Sequence, residues 1–237
     1  MSAFHATADR IAWGLRAAAA ALCLLTPLPA AAQAQGGMDA AGICRATTAY
    51  VEQVRGLPPQ LLAAVSLTET GRSIRDDAGE RQFVSWPWTI NAEGKGYFFD
   101  SKDQAIAKVR QLQAQGMRSI DVGCMQINLR FHGEAFDNLE EAFDPLINVT
   151  YAAEFLTALF DEHRSWKKAI ERYHSATEQF YVRYRSKVYD NWLSERERVA
   201  MSRRQLEISA LEQMRAQRLS EVARRRAAAR EQLANNS

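Results

Sequence analysis

The chain has 237 residues, of which 24% are charged, and a formal net charge of +2. From Trp192 onward the chain has ten arginines and six glutamates, so the basic excess lies on a segment already rich in acids and does not indicate a nucleic-acid-binding protein. The length allows one good hydrophobic core and little more.

Residues 1–34 have the pattern of a secretory signal peptide. Arg10 and Arg16 precede the apolar run AAAAALCLLTPLPA, which is too short and too proline-broken to span a bilayer comfortably. The AQA that follows matches a small-x-small cleavage pattern, so we expect cleavage near Ala34. This predicts export to the periplasm and no stable membrane insertion afterwards. An uncleaved anchor is the alternative.

Two cysteines, Cys44 and Cys124, remain after this cleavage. An even number in an oxidising compartment favours a disulfide, which here would tie the first helix to the segment around residue 124. Two separate buried thiols are the alternative, since cysteine packs as a small apolar residue.

The first predicted helix covers residues 39–55, and the second carries an apolar stripe that ends on an acid. Leu61, Val65 and Glu69 are spaced four residues apart and therefore lie on one helix face, before Gly71 ends the helix. Burial of a carboxylate raises its pKa, and a protonated carboxylic acid can act as a general acid. A partly exposed glutamate bonded to a neighbour is the alternative.

The remainder of the body is predicted to be helical, with one small β-hairpin. The hairpin covers 83–100, where two aromatic runs flank a Gly/Asn/Lys turn. Further helices are predicted to begin at Ser101, Asp144 and Ser165, each a favourable capping residue. The segment 119–128 has no helical period and is expected to be a loop or a short extended piece. The fold class is therefore mainly α.

The tail, 192–237, is predicted to be one long helix because it lacks proline and glycine and is rich in Ala, Arg, Glu, Gln and Leu. It contains three eleven-residue units that begin with Arg204, Arg215 and Arg226, so equivalent positions form one stripe. The tail is either a solvated helix or a docking face for a protein partner or a self-associating coil. The apolar stripe consists of Ile208, Leu211, Leu219, Val222 and Leu233.

Common cofactor and metal motifs are missing from the sequence. There is no glycine-rich phosphate loop, Cys-x-x-Cys pair, HExxH or G-x-S-x-G, and the four histidines lack metal-ligand spacing. We therefore expect no cofactor and no metal, and chemistry that rests on a carboxylate.

Four segments in order resemble the lytic transglycosylase (SLT) domain of the lysozyme superfamily. They are ETG at 69–71, DVGCMQIN at 121–128, FDPLINVTYAAEFLTALF at 143–160 and ERYHSA at 171–176, and the resemblance covers roughly 44–190. Each motif is weak alone, but four in register are specific. The resemblance implies an α+β lysozyme-like fold.

The resemblance also implies roles for individual residues. Glu69 matches the single catalytic acid/base. Met125 and Gln126 match the loop that lines the cleft, with Gln126 facing the substrate. Tyr173 matches a tyrosine whose hydroxyl lies close to the glutamate, and Asn148 matches an asparagine with a structural role.

Three positions depart from the family pattern. Thr70 replaces a serine and keeps its hydroxyl. Cys124 replaces a leucine, which fits a bridge to Cys44. His174 replaces an asparagine, and it is expected either to supply the hydrogen bond of that asparagine or to be a polar residue at the cleft rim.

Three hairpin aromatics, Trp86, Trp88 and Tyr97, are candidates for substrate binding because flat rings suit the apolar faces of sugars. The alternative is that they pack the hairpin onto the core. Asn91 or Asn128 would add polar contacts. Phe155 is expected in the core.

The chain is therefore predicted to have three parts: signal peptide 1–34, lysozyme-like domain 35–191 and helical tail 192–237. For the domain, the resemblance implies an enzyme that acts on peptidoglycan glycan strands. It would cleave the bond between N-acetylmuramic acid and N-acetylglucosamine and form a 1,6-anhydro sugar. Compact members of the family often serve a secretion, conjugation or flagellar machine. The alternatives are a goose-type lysozyme-like hydrolase and a non-catalytic wall-binding or assembly component with the same fold.

Overall fold

The computed structural model describes residues 39–76 and 78–236. The expected signal peptide lies outside the described residues. The predicted fold class is confirmed, because the chain is mainly helical with a small β content and ends in a long helix. The helices are α1 (Ala40–Arg55), α2 (Leu61–Thr70), α3 (Lys102–Ala114), α4 (Leu139–Ala142), α5 (Pro145–His163), α6 (Trp166–His174) and α7 (Glu178–Asn235). The strands are β1 (Gly71–Arg75), β2 (Arg81–Ser85), β3 (Thr89–Ala92), β4 (Lys95–Phe98), β5 (Ile120–Val122) and β6 (Ile127–Asn128).

Three of the predicted helix starts are confirmed by their caps. Ser101, Asp144 and Ser165 precede α3, α5 and α6, and each accepts backbone N–H donors from the first turn with its side-chain oxygen. Within the part of the chain that the structure describes, no helix is both long and apolar enough to cross a membrane.

Helix α2 is the buried centre of the fold and contacts both α1 and α7. Its N-terminus is capped by Glu52 of α1, a carboxylate that is itself buried. The Oε1 atom of Glu52 accepts the N–H groups of Leu62 (2.6 Å) and Ala63 (3.2 Å), and Oε2 accepts that of Gln60 (2.7 Å). The cap fixes the start of the helix whose far end carries Glu69.

The β structure is larger than the single hairpin expected. The predicted hairpin corresponds to β3 and β4, which pair antiparallel around a tight turn at Glu93 and Gly94. Strand β2 instead pairs with β1 in a separate two-stranded sheet. The segment expected to be a loop or extended piece supplies β5 and β6, which extend the hairpin to a four-stranded sheet in the order β4-β3-β5-β6.

A disulfide joins Cys44 of α1 to Cys124, in the turn between β5 and β6. The predicted bridge is therefore confirmed, and it closes a loop of 80 residues. Helix α2 is fastened to the same turn, because Ser66 Oγ donates to the Cys124 carbonyl at 2.9 Å. The hydroxyl of Thr70 donates within α2 to the Ser66 carbonyl at 3.0 Å, and the Cys124 carbonyl is a more distant acceptor at 3.4 Å.

The fully buried Asn148 of α5 holds the other side of this turn. Its Nδ2 donates to the carbonyls of Val122 (3.1 Å) and Ala142 (3.0 Å), and its Oδ1 accepts the N–H of Met125 (2.9 Å). Gly123 has a φ of +77°, and a Cβ there would lie 2.6 Å from Asn148 Nδ2. Only glycine fits this position without displacing the asparagine.

Helix α7 runs without a break through residue 192 and contains 58 residues. Its first part packs on α2 and α6 and buries Tyr184, Val188 and Glu195. Glu195 pairs with Arg45 of α1 at 3.4 Å and with Arg198 at 2.7 Å. Beyond Arg198 the helix is exposed almost throughout.

Candidate active site

A cavity of about 300 Å³ opens at the C-terminal end of α2, between the four-stranded sheet and helices α5 and α6. Glu69 lies in its wall, together with Gln126, Tyr173 and His174. Asn91 and Asn128 line it too, so six of the candidate site residues meet at one place, although 105 positions separate Glu69 from His174.

Glu69 is half-buried, and its carboxyl group is strongly perturbed. Its Oε1 accepts a hydrogen bond from the hydroxyl of Tyr184 at 2.7 Å. Burial raises the pKa of Glu69 to about 7, the hydrogen bond from Tyr184 opposes this rise, and the charge of nearby Asp121 adds to it. Glu69 can therefore hold or release a proton near neutral pH, as a general acid/base must.

A row of polar side chains crosses the sheet beside Glu69. Asn91 of β3 is paired with Asp121 of β5, which is paired with Asn128 of β6, and all three line the cavity. The Nδ2 of Asn128 donates to Asp121 Oδ1 at 2.6 Å. Burial raises the pKa of Asp121, and the bond from Asn128 opposes this rise. Because side chains alternate along each strand, residues such as Ile90 and Val122 lie on the other face of the sheet and are buried.

Tyr184 was not identified in the sequence, and it is the tyrosine that hydrogen-bonds Glu69. It is buried on α7, and its ring stacks on His174 with centroids 4.3 Å apart and planes 4° apart. The available signal was the spacing of Tyr184 and Val188 on one helix face. A tyrosine on a buried stripe needs a partner for its hydroxyl.

Tyr173 lies in the cavity, but its hydroxyl donates to the Met125 carbonyl at 2.8 Å. Burial, and then the charge of Glu69, raise the pKa of Tyr173 well above its usual value, so it remains a donor. Tyr173 and Glu69 line the same cavity, but the hydroxyl that hydrogen-bonds Glu69 is that of Tyr184.

Gln126 and Met125 have different positions in the turn. Gln126 lines the cavity with a φ of +48°, and its Nε2 donates to the carbonyls of Thr89 (3.1 Å) and Gly123 (3.0 Å). The side chain of Met125 is fully buried in the core. Its assignment to substrate binding is therefore corrected: the apolar side chain packs inward, and only its backbone serves the site.

The three hairpin aromatics do not line the cavity around Glu69. The Nε1 of Trp86 donates to the Phe99 carbonyl at 2.6 Å, and Arg72 lies over its ring at 4.7 Å. Trp88 and Tyr97 are half-buried and pack against the core. These contacts agree with the alternative in which the three aromatic side chains pack the hairpin onto the core.

The aromatic wall of the cavity comes from elsewhere. Phe131, which is 72% exposed, lies there with His132 and Phe155. Phe155 was expected in the core, but it is only half-buried and its ring lies 5.0 Å from that of His132. Burial lowers the pKa of His132, so its imidazole is neutral at neutral pH.

A second cavity, of about 530 Å³, lies on the other side of Glu69. Glu69, Asn91 and His174 line both cavities, so the two form the arms of one cleft with the carboxyl group between them. We call the cavity beside the sheet the sheet arm and the second cavity the helix arm. The helix arm is lined by side chains of α7, namely Gln179, Phe180, Arg183, Tyr184 and Lys187.

No family model matches this chain, and neither a curated protein nor a solved structure matches it. Across residues 39–76 and 78–236, no group of three or more His, Cys, Asp or Glu side chains is arranged to hold a metal ion.

Proposed function

We propose that this protein is an exported peptidoglycan lytic transglycosylase that acts in the periplasm, with Glu69 as its single general acid/base. The observation that carries the proposal is the position of Glu69, whose pKa is about 7, between the two arms of one cleft. A cleft open on both sides of the acid suits a polymer such as a glycan strand. The resemblance of four sequence motifs to the SLT family supplies the substrate class.

In the first proposed step, protonated Glu69 donates its proton to the glycosidic oxygen between N-acetylmuramic acid and N-acetylglucosamine. The C1–O bond breaks as the N-acetylglucosamine hydroxyl leaves, and positive charge develops on the muramic ring. The Glu69 carboxylate that results is stabilised by the hydroxyl of Tyr184.

In the second step, the carboxylate of Glu69 takes the proton from the C6 hydroxyl of the same muramic acid, and O6 bonds to C1. The product is a 1,6-anhydro sugar, and Glu69 regains its proton without consumption of water. One group acting first as acid and then as base works best when its pKa is near the working pH.

Peptidoglycan hydrolysis is the second candidate, and Asp121 favours it. A second carboxylate lies in the same arm of the cleft and is close enough for its charge to raise the pKa of Glu69. Glycosidases that use water or a covalent intermediate need such a second carboxylate. A hydrolase would leave saturated reducing ends in place of anhydro ends.

Digestion of purified sacculi with the mature protein, followed by mass spectrometry of the released muropeptides, tests both candidates. Anhydro products that disappear with Glu69→Gln support the transglycosylase. Saturated reducing ends that disappear with Asp121→Asn support the hydrolase. Release of neither product by the wild type contradicts both and favours a non-catalytic wall-binding component.

A further inference from the structure

The two arms of the cleft differ in charge. Among the described residues, neither a lysine nor an arginine lines the sheet arm, and its Asp121 carries a carboxyl group. The two histidines in the sheet arm are neutral near pH 7, because burial lowers the pKa of His132 and burial together with Lys187 lowers that of His174. The helix arm, in contrast, contains the exposed cations Arg183 and Lys187.

Arg183 and Lys187 are one helical turn apart on α7, so both side chains project from the same face. In the described part of the chain, no carboxylate lies within ion-pair distance of either. Arg185, between them in sequence, points to a different face and pairs with the buried Glu171. The two cations that face the cleft therefore have no acidic partner among the described residues.

The helix arm also continues beyond Lys187. Thr68 and Lys187 line a third cavity of about 380 Å³, which runs past the end of α2 toward Asp190. The exposed ring of Phe180 lies in the helix arm together with the two cations. The surface next to Glu69 therefore combines two cations, an aromatic ring and enough space for a substituent that projects sideways from the glycan strand.

We propose that Arg183 and Lys187 bind carboxylates of the peptide that muramic acid carries on its lactyl group, so that the cleft selects peptide-bearing strands over bare glycan. This inference rests on the proposed function and deepens it. While the lactyl carboxyl group of muramic acid is bonded to the peptide as an amide, the sugar residues carry no charge, whereas the peptide stem carries free carboxylates. The acidic sheet arm disfavours the stem, and the helix arm attracts it.

The test compares two substrates: glycan strands with intact peptides, and the same strands from which an amidase has removed the peptides and in which the lactyl carboxylates so released have been converted to neutral amides. The measured quantity is the ratio of kcat/KM for peptide-bearing strands to kcat/KM for bare strands, obtained with full-length mature protein. We expect this ratio to be well above one for the wild type. We expect Arg183→Gln/Lys187→Gln to lower this ratio about fivefold, because the variant loses two exposed ion pairs with the substrate.

The matched control is Arg218→Gln/Arg230→Gln, which removes two exposed cations of the same helix far from the cleft. We expect this variant to leave the ratio unchanged. Raising the salt concentration should lower the ratio of the wild type toward that of the Arg183→Gln/Lys187→Gln variant, because exposed charges are screened.

The outcomes separate this inference from the proposed function. A wild-type ratio near one, or a ratio that Arg183→Gln/Lys187→Gln leaves unchanged, overturns the peptide recognition while anhydro products still support the transglycosylase. Absence of anhydro products from both substrates overturns the proposed function, and the peptide recognition with it.

Discussion

The two parts of helix α7 have the same secondary structure for different physical reasons. Residues 178–198 bury Tyr184, Val188 and Glu195 against the body, so tertiary packing holds them in helix. Residues 199–235 are exposed, and their helix depends on composition and on local pairs such as Arg203–Glu207, at 3.1 Å.

Charge content does not distinguish these two parts, because arginine and glutamate are frequent in both. What differs is whether the charged side chains are buried or exposed and which residues they pair with. Glu195 is buried between Arg45 and Arg198, whereas Glu221 pairs with Arg225 on an exposed face. The comparison teaches that single side chains decide function and stability in the first part, while in the second only the sum of many weak preferences matters.

The largest effect that this comparison predicts is on activity. Glu69→Gln should lower kcat about a thousandfold, because the amide keeps the shape but cannot donate and recover a proton. In the wild type, kcat/KM should fall as pH rises above about 7, where Glu69 loses the proton that the first step requires. Glu212→Gln, in the exposed part of α7, is the matched control and should change neither quantity.

The same substitution should increase stability at high pH. A glutamate in the unfolded chain ionises near pH 4.5, whereas Glu69 in the folded protein ionises near pH 7. Between these values the unfolded state releases its proton and the folded state keeps it, so rising pH destabilises the wild type by about 3 kcal/mol. Glu69→Gln removes this dependence. Thermal unfolding at pH 5 and pH 8 that shows equal pH dependence for both proteins would contradict a desolvated Glu69.

The next effect is a loss of stability on removal of the disulfide, which lies outside the exposed part of α7. Cys44→Ser/Cys124→Ser should lower the free energy of unfolding by about 4 kcal/mol, since the bridge closes a loop of 80 residues. Denaturant unfolding followed by circular dichroism measures this loss. Thiol titration of the denatured, unreduced mature protein should find no free thiol, and two reactive groups would exclude the bridge.

A smaller effect is expected at Tyr184, in the packed part of α7. Tyr184→Phe removes the hydroxyl that donates to Glu69, so the pKa of Glu69 should rise further and the alkaline limb of the rate profile should move to higher pH. We expect about a tenfold loss of kcat, which corresponds to one hydrogen bond to a charged group. Tyr181→Phe, on the same helix, is the control. An unmoved alkaline limb in Tyr184→Phe would show that the hydrogen bond does not control Glu69.

The smallest effect is expected from deletion of residues 200–237. Because this part buries almost nothing, the deletion should change the free energy of unfolding of the body by less than about 0.5 kcal/mol. Muropeptide release from isolated sacculi should be unchanged. A docking role for the tail stays a prediction, which pull-downs with full-length and truncated baits test. Recovery of the same proteins by both baits, or inactivity of the truncated enzyme, would contradict it.

Local signals predicted much of the helical fold. The caps at Ser101, Asp144 and Ser165 act within one turn, so the sequence is sufficient to locate them. Strands β5 and β6 have three and two residues, which is too short for a periodic pattern. Strands β1 and β2 lie in a charged, exposed segment that resembles a loop in composition.

The candidate site was predicted in part, and the missing part is non-local. Glu69 has a signal of its own, because an acid ends an apolar stripe. Tyr184 becomes significant only when α7 packs against α2 and brings together residues 115 positions apart. Trp86 was assigned to the substrate because an aromatic side chain in a hairpin looks the same in sequence whether it faces a ligand or the protein.

The length of α7 also sets a scale for the whole molecule. At a rise of 1.5 Å per residue, the helix places Asn235 about 75 Å along its axis from Tyr184, the side chain that contacts Glu69. An attachment at the tip of the helix would therefore set a radius around the attachment point within which the proposed cleavage can occur. Insertion of one more eleven-residue unit would extend that radius by about 16 Å and turn the tip by only about 20°.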